Sequence, residues 1–132
     1  MMEDLGEFLG FLIVVFFGLA ASKYFLKLVD DKYFITKDKK TKLYKIFSEV
    51  YSFVDKYHGL FGILAVIFVL LHFLVQIVYA QFSYTGLITA ILMILQVSLG
   101  IYGNKATTSK WYKFHLLLPI FIILAFISHL IF

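Results

Sequence analysis

The chain has 132 residues, of which 62% are hydrophobic and 20% aromatic, and its formal net charge of +4 comes from twelve lysines and no arginine. A soluble domain of this size cannot bury so much apolar surface, so the composition indicates a single integral membrane domain. The absence of cysteine excludes disulfides, thiolate metal ligands, cysteine-ligated iron–sulfur clusters and cofactors attached through thioether bonds.

Four apolar segments follow one another along the chain, and each is long enough to cross a bilayer as a helix. They cover residues 5–29, 57–80, 82–103 and 111–132. Tryptophan and tyrosine lie near the segment ends, as expected at the membrane–water interface. The sequence therefore predicts an all-α integral membrane four-helix bundle that forms one domain over the whole chain.

Between the first two spans, apolar residues recur every three to four positions, at Leu43, Phe47, Val50, Val54 and Tyr57. Charged side chains occupy the opposite face, so this segment is predicted to be an amphipathic helix at the membrane surface. It is either a juxtamembrane extension of the second span or a docking site for a cytoplasmic partner, and the two interpretations are compatible.

The lysines are concentrated in two of the three connecting segments. Residues 30–56 hold more than half of the twelve, and the connection between the third and fourth spans adds three more. The connection at residues 81–84 carries no charge. By the positive-inside rule both basic segments lie in the cytoplasm, which places both termini outside the plasma (cytoplasmic) membrane.

All four histidines lie inside the apolar segments, as two pairs with the same spacing of fourteen residues: His58 and His72, and His115 and His129. A histidine is costly to place in a membrane helix and is usually functional there. Fourteen residues make four whole turns at about 3.5 residues per turn, so the members of a pair face the same side. They stand about 21 Å apart along the helix axis.

Since one span separates the two histidine helices, both run in the same direction. Each depth then holds one histidine from each helix, with His58 and His115 as the inner pair and His72 and His129 as the outer pair. Two imidazoles at one depth satisfy the axial positions of a haem iron. The pattern therefore predicts two haem b groups, with the four histidines as iron ligands.

Two glycines and two lysines accompany this pattern. Gly86 and Gly100 are also fourteen residues apart, and the third span runs opposite to the histidine helices. Gly100 should therefore lie near the inner pair and Gly86 near the outer pair, where a flat macrocycle can approach the backbone; ordinary helix packing explains them equally well. Lys56 and Lys113, each two residues before an inner histidine, either pair with haem propionates or simply flank the membrane.

The two histidine helices separated by one span resemble the transmembrane core of the ferric-reductase and NADPH-oxidase superfamily. They are also similar to the four-helix core of bc-complex cytochrome b, but the inferred direction resembles the former. Members of that superfamily usually have six helices and often a fused flavin and nicotinamide domain, whereas this chain has four spans and no GxGxxG fingerprint. The resemblance implies a cytoplasmic flavoprotein, or alternatively quinol, as electron donor.

The sequence thus predicts a di-haem b-type cytochrome that transfers single electrons across the bilayer to an outer-side acceptor such as ferric iron, oxygen, an exported redox protein or quinone. It is either a transmembrane oxidoreductase that needs a partner donor or an anchor subunit of a larger oxidoreductase complex. A histidine-lined metal or proton transporter is the third alternative, but spans two to four offer few polar residues for a path. Membrane lipid and a donor bound at the lysine-rich segment are the expected partners, and no nucleic acid is expected.

Overall fold

The computed structural model describes residues 1–34 and 40–132, and within them the chain forms four long helices. These are α1 (Met2–Val29, continued by a π-helical segment, Asp30–Phe34), α2 (Lys42–Tyr79), α3 (Tyr84–Gly103) and α4 (Lys110–Ile131). All four are long and apolar enough to cross a membrane. The prediction of an all-α integral membrane four-helix bundle is confirmed. Lys37 and Lys39 of the lysine-rich segment lie outside the described residues.

Side-chain caps mark two of the helix starts. The Tyr44 N–H donates to Thr41 Oγ1 at 3.2 Å before α2, and the Gly86 N–H donates to Ser83 Oγ at 3.2 Å before α3. The ends of the helices lie within three residues of the predicted span ends, with the start of α2 as the exception.

α2 starts fifteen residues before the predicted second span because the amphipathic segment joins it without a break. The segment from Lys42 to Tyr57 contains neither glycine nor proline, so nothing in it ends the helix. At 1.5 Å per residue the 38-residue helix is about 57 Å long, almost twice the thickness of a hydrocarbon core of about 30 Å. The segment is therefore helical, as predicted, and it forms a juxtamembrane extension of the second span, which is one of the two interpretations of its sequence.

The helices pack as two antiparallel hairpins, α1 with α2 and α3 with α4, which meet along α2 and α3. At the end of the first hairpin, the buried Phe34 ring packs against the rings of Tyr44 and Phe47. Lys23 Nζ lies 2.8 Å from Asp55 Oδ1 and ties the same two helices together. In the part of the chain that the structure describes, the backbones of α1 and α4 have little contact, so the bundle is open on that side.

Five of the buried apolar side chains form one cluster midway between the two histidine levels, here called the apolar layer. Its members are Ala65, Val69, Ala90, Met93 and Ile122, and Ile13, Phe16 and Phe17 of α1 pack against them. Ala65 is seven residues from each histidine of α2, and Ile122 is seven residues from each histidine of α4. The apolar layer therefore separates the inner from the outer histidines.

Candidate functional site

The structure brings the four histidines together as two pairs that bridge α2 and α4. The ring centroids of His58 and His115 are 6.0 Å apart, and those of His72 and His129 are 6.4 Å apart. Two imidazoles that bind one metal ion from opposite sides, with bonds of about 2.0 Å, have ring centroids about 6 Å apart. Both pairs therefore have the spacing of two rings that share a metal ion between them.

Backbone carbonyls of α1 orient both histidine rings of α2. His58 Nδ1 lies 2.9 Å from the Ala20 carbonyl oxygen, and His72 Nδ1 lies 2.9 Å from the Gly6 carbonyl oxygen. Because a carbonyl oxygen only accepts, Nδ1 carries the proton in both rings, and a neutral ring keeps the lone pair of Nε2 free for a metal ion. Metal-ligating histidines commonly donate their other ring N–H in this way, which fixes the tautomer and the ring orientation.

The two acceptor residues of α1 repeat the histidine spacing, since Gly6 and Ala20 are also fourteen residues apart. The antiparallel course of α1 sets each of them against one histidine of α2. Gly10 lies beside the outer ring as well, and a Cβ there would be 3.7 Å from His72 Cε1. The sequence pattern did not indicate Gly6 or Ala20 as site residues because they act through carbonyl groups, which every residue has.

α3 accommodates the histidine rings of α4 at its two glycines. A Cβ added at Gly86 would lie 3.0 Å from His129 Cε1, and one added at Gly100 would lie 3.2 Å from His115 Cε1. Both distances are shorter than ordinary carbon–carbon contacts, so each imidazole occupies the space that a side chain would need. Gly86 thus lies at the outer level and Gly100 at the inner level, each against an imidazole of α4. Their contact with a macrocycle stays a prediction.

Two hydroxyl groups of the α2–α3 connection and the start of α3 surround the outer ring of α4. His129 Nδ1 lies 3.2 Å from Ser83 Oγ and 3.3 Å from Thr85 Oγ1. Ser83 Oγ also accepts the N–H of Gly86, so one hydroxyl caps α3 and contacts the imidazole. In the sequence Ser83 has only the appearance of an ordinary helix cap, which is why it was not predicted as a site residue.

His115 differs from the other three histidines in the surroundings of its ring. Its Nδ1 is buried and has no hydrogen-bond partner among the described residues, and the same is true of Gln96 Oε1. The Gln96 amide nitrogen donates to the His115 backbone carbonyl at 2.8 Å. The Trp111 ring packs edge-on to the imidazole, with centroids 5.8 Å apart.

An open cavity of about 1,000 Å³ lies beside the outer pair. It is lined by His72 and His129, by Gly6, Gly10 and Gly86, and by apolar side chains of all four helices. Cofactor and ligand sites range from about 300 to 1,000 Å³, so this volume suits a large cofactor. Its lining includes residues of both α1 and α4, whose backbones have little contact in the described part of the chain.

Lys56 and Lys113 are both exposed. Lys56 Nζ lies 5.3 Å from the centroid of the neighbouring Tyr57 ring, a cation–π distance. Each lysine precedes an inner histidine by two residues, and the pairing of either with an anionic group of a cofactor stays a prediction.

The donor set fits haem better than a metal ion bound by protein alone. No group of three or more histidine, aspartate and glutamate side chains gathers within residues 1–34 and 40–132, as a zinc site would require. Two imidazoles on opposite sides are sufficient for a haem, because the macrocycle supplies the remaining ligands. The residues present therefore fit two bis-histidine haem sites.

Comparison of the chain with protein-family models, with curated proteins and with solved structures finds no match. The resemblance to ferric reductases and to bc-complex cytochrome b therefore rests on the spacing and direction of the histidine helices. The functional conclusion depends on the geometry of the four histidines.

Proposed function

We propose that the chain is a di-haem b-type membrane cytochrome that transfers single electrons across the bilayer. The observation that carries this proposal is the pairing of four membrane histidines across α2 and α4 at two levels, at centroid distances of 6.0 and 6.4 Å. When bound, the haems would supply the one-electron redox chemistry. A haem held by two histidines would keep no open coordination site, which suits electron transfer better than oxygen binding.

The helices have different roles at the proposed haem sites. α2 and α4 provide the ligands, with His58 and His115 for the inner haem and His72 and His129 for the outer haem. α1 holds the two rings of α2 in the ligand tautomer through its carbonyl groups. α3 accommodates the two rings of α4 at its glycines.

The apolar layer between the levels weighs against a metal or proton transporter. Of the described residues, Thr89 is the one polar residue that is buried as a whole, and its hydroxyl donates to the Thr85 carbonyl of its own helix at 2.9 Å. A path of histidine stepping stones needs polar groups between them, and the layer is made of residues such as Ala65 and Ile122. Electrons cross such a layer more readily than hydrated ions or protons do.

We assign the inner pair to the cytoplasmic side of the plasma membrane and both termini to the outside, because most lysines lie at the inner end. α2 begins sixteen residues before His58, whereas α4 begins only five residues before His115. The first hairpin therefore projects about 16 Å further than the second. Its exposed residues combine charge and apolar surface: Lys42, Leu43, Lys45, Ile46 and Val50.

We propose that this projecting end of the first hairpin binds the electron donor, a cytoplasmic flavoprotein. Quinol that reaches the bundle through the lipid is the alternative donor. On the outer side, the cavity beside His72 and His129 brings the outer level within reach of an acceptor or of quinone.

The projecting hairpin also favours a second candidate, an anchor subunit whose haems serve a larger oxidoreductase complex. Both proposals predict the same haem sites, and they differ in what reduces and oxidises them. The purified chain in liposomes, given a flavoprotein or quinol analogue inside and a ferric chelate outside, should pass electrons if it acts alone. Haem reduction without onward transfer would favour the anchor subunit.

We expect two haems per chain in the purified protein, and one haem per chain in each of the variants His58→Ala and His129→Ala. Each substitution removes one of the two axial ligands at its own level and leaves the other level intact. A reduced-minus-oxidised absorbance spectrum with haem and protein quantified together measures this. Ser98→Ala, which changes an exposed residue of α3, should keep both haems.

Haem-free wild-type protein with the expected helical circular dichroism would overturn the proposal. A variant that keeps two haems would remove the substituted histidine from the set of ligands.

A further inference from the structure

The backbone carbonyl of His115 lacks the usual hydrogen-bond donor of its own helix. Pro119 stands four residues later in α4, where a helix normally supplies the N–H donor, and proline has none. Gln96 of α3 donates its amide nitrogen to this carbonyl at 2.8 Å. A side chain of the neighbouring helix therefore replaces the missing hydrogen bond at the residue that carries an inner ligand.

This contact fixes the orientation of the Gln96 amide. Because the carbonyl oxygen can only accept, the amide nitrogen faces it, and Oε1 is left to accept from another donor. Oε1 is buried without a partner in the described part of the chain, and so is Nδ1 of His115. Buried polar groups are almost always hydrogen-bonded, so unpaired atoms on two residues in contact need a common explanation.

The two unpaired atoms are chemically complementary. If Nε2 of His115 binds iron, the proton of the neutral ring must be on Nδ1, which then requires an acceptor. The other three histidines already have a partner for Nδ1, either a backbone carbonyl or a hydroxyl group. Gln96 offers two oxygens for this role at the inner level of α4: its backbone carbonyl oxygen, which lies near the imidazole but outside hydrogen-bond geometry, and its amide oxygen, which has no donor among the described residues.

We infer that Gln96 is the positioning residue of the inner histidine pair. This inference rests on the proposed function. Its amide nitrogen holds the His115 backbone, and its amide oxygen accepts the Nδ1 proton directly or through one water molecule. An acceptor at this position makes the imidazole a more basic ligand and favours ferric over ferrous iron. Removing the acceptor should therefore raise the midpoint potential of the inner haem.

The test uses Gln96→Met in the full chain, since methionine keeps the length of the side chain and lacks the amide. Potentiometric titration and low-temperature EPR follow both haems, and the inner signal is the one that disappears in His58→Ala. We expect the midpoint potential of the inner haem to rise and its EPR signal to shift, while the outer haem stays unchanged. Ser98→Ala is the matched control, because Ser98 lies on the same helix and its hydroxyl donates to the Ile94 carbonyl of that helix.

The double variant Gln96→Met/Pro119→Ala tests separately whether Gln96 acts on the His115 backbone or on the His115 ring. Alanine at position 119 restores an N–H for the His115 carbonyl, so the backbone no longer needs Gln96. If Gln96 acts on the ring, the double variant should regain thermal stability and keep the raised midpoint potential of the inner haem. If Gln96→Met alone has lost the inner haem, the double variant should lack it too.

A double variant that regains the wild-type inner potential would limit Gln96 to backbone repair and overturn the inference. An unchanged inner haem in Gln96→Met would overturn it as well. Wild-type protein without haem would overturn the proposed function instead, so the two failures are distinguishable.

Discussion

We expect Gly86→Val to remove the outer haem and keep the inner one, and Gly100→Val to do the reverse. The Cβ of valine would lie 3.0 Å from His129 Cε1 at position 86 and 3.2 Å from His115 Cε1 at position 100, and its methyl groups add to the crowding. Overpacking of this kind costs about 1–3 kcal/mol, and turning the imidazole aside relieves it at the expense of the ligand geometry. Haem and protein quantified together in each purified variant measure the outcome.

Gly59→Val is the matched control for both glycine variants. Gly59 lies next to His58 in the sequence, but apart from its own stretch of helix nothing among the described residues lies within 4 Å of an added Cβ there, so both haems should remain. The alanine variants provide a graded comparison, because the shorter distance at Gly86 predicts a larger loss of haem than at Gly100. Two haems in Gly86→Val would show that the His129 ring does not rest on that glycine.

Ile122→Ala should destabilise the whole bundle by about 2–4 kcal/mol and release both haems together on heating. Ile122 is 2% exposed and lies in the apolar layer, seven residues from each histidine of α4. Truncation removes van der Waals contacts at the point where the helices meet, and packing of this kind is what holds membrane helices together. The loss of haem absorbance and of helical circular dichroism with temperature, in the same detergent, measures the effect.

Another isoleucine of α4, which does not line the cavity, supplies the control for this prediction. Ile120 is 55% exposed on the bundle surface, so Ile120→Ala should change the stability by no more than about 0.5 kcal/mol. Equal destabilisation by the two variants would contradict a packed layer between the levels. Selective loss of one haem in Ile122→Ala would show that the layer supports that level alone.

The sequence was sufficient to predict the four helices because the bilayer leaves the backbone little choice. A long apolar segment must satisfy its own N–H and C=O groups in lipid, and a helix does so. The start of α2 was not predictable, because the apolar positions from Leu43 to Tyr57 suit a surface helix and a helical extension equally well. What distinguishes them is the packing of Phe34 on Tyr44 and Phe47, which depends on the tertiary fold.

The candidate site was likewise predictable from the sequence only in part. The pairing of the histidines and the levels of Gly86 and Gly100 follow from spacing and helix direction, both of which can be counted along the chain. The carbonyl groups of Gly6 and Ala20 leave no mark in the sequence. Gln96 was visible only as a polar residue in an apolar span, because its contact with His115 depends on the rotation of α3 relative to α4.

α2 is one continuous helix from its projecting end to His58. From Lys42 to His58 the helix has no glycine or proline, and the first glycine, Gly59, comes directly after the ligand. The projecting end and the His58 imidazole, with its bond to the Ala20 carbonyl, therefore belong to one unbroken helical segment. His115 lies only five residues from the start of α4, so its helix has no comparable extension beyond the inner level. A partner bound at the projecting end would thus contact the same helix that carries one histidine of the inner pair.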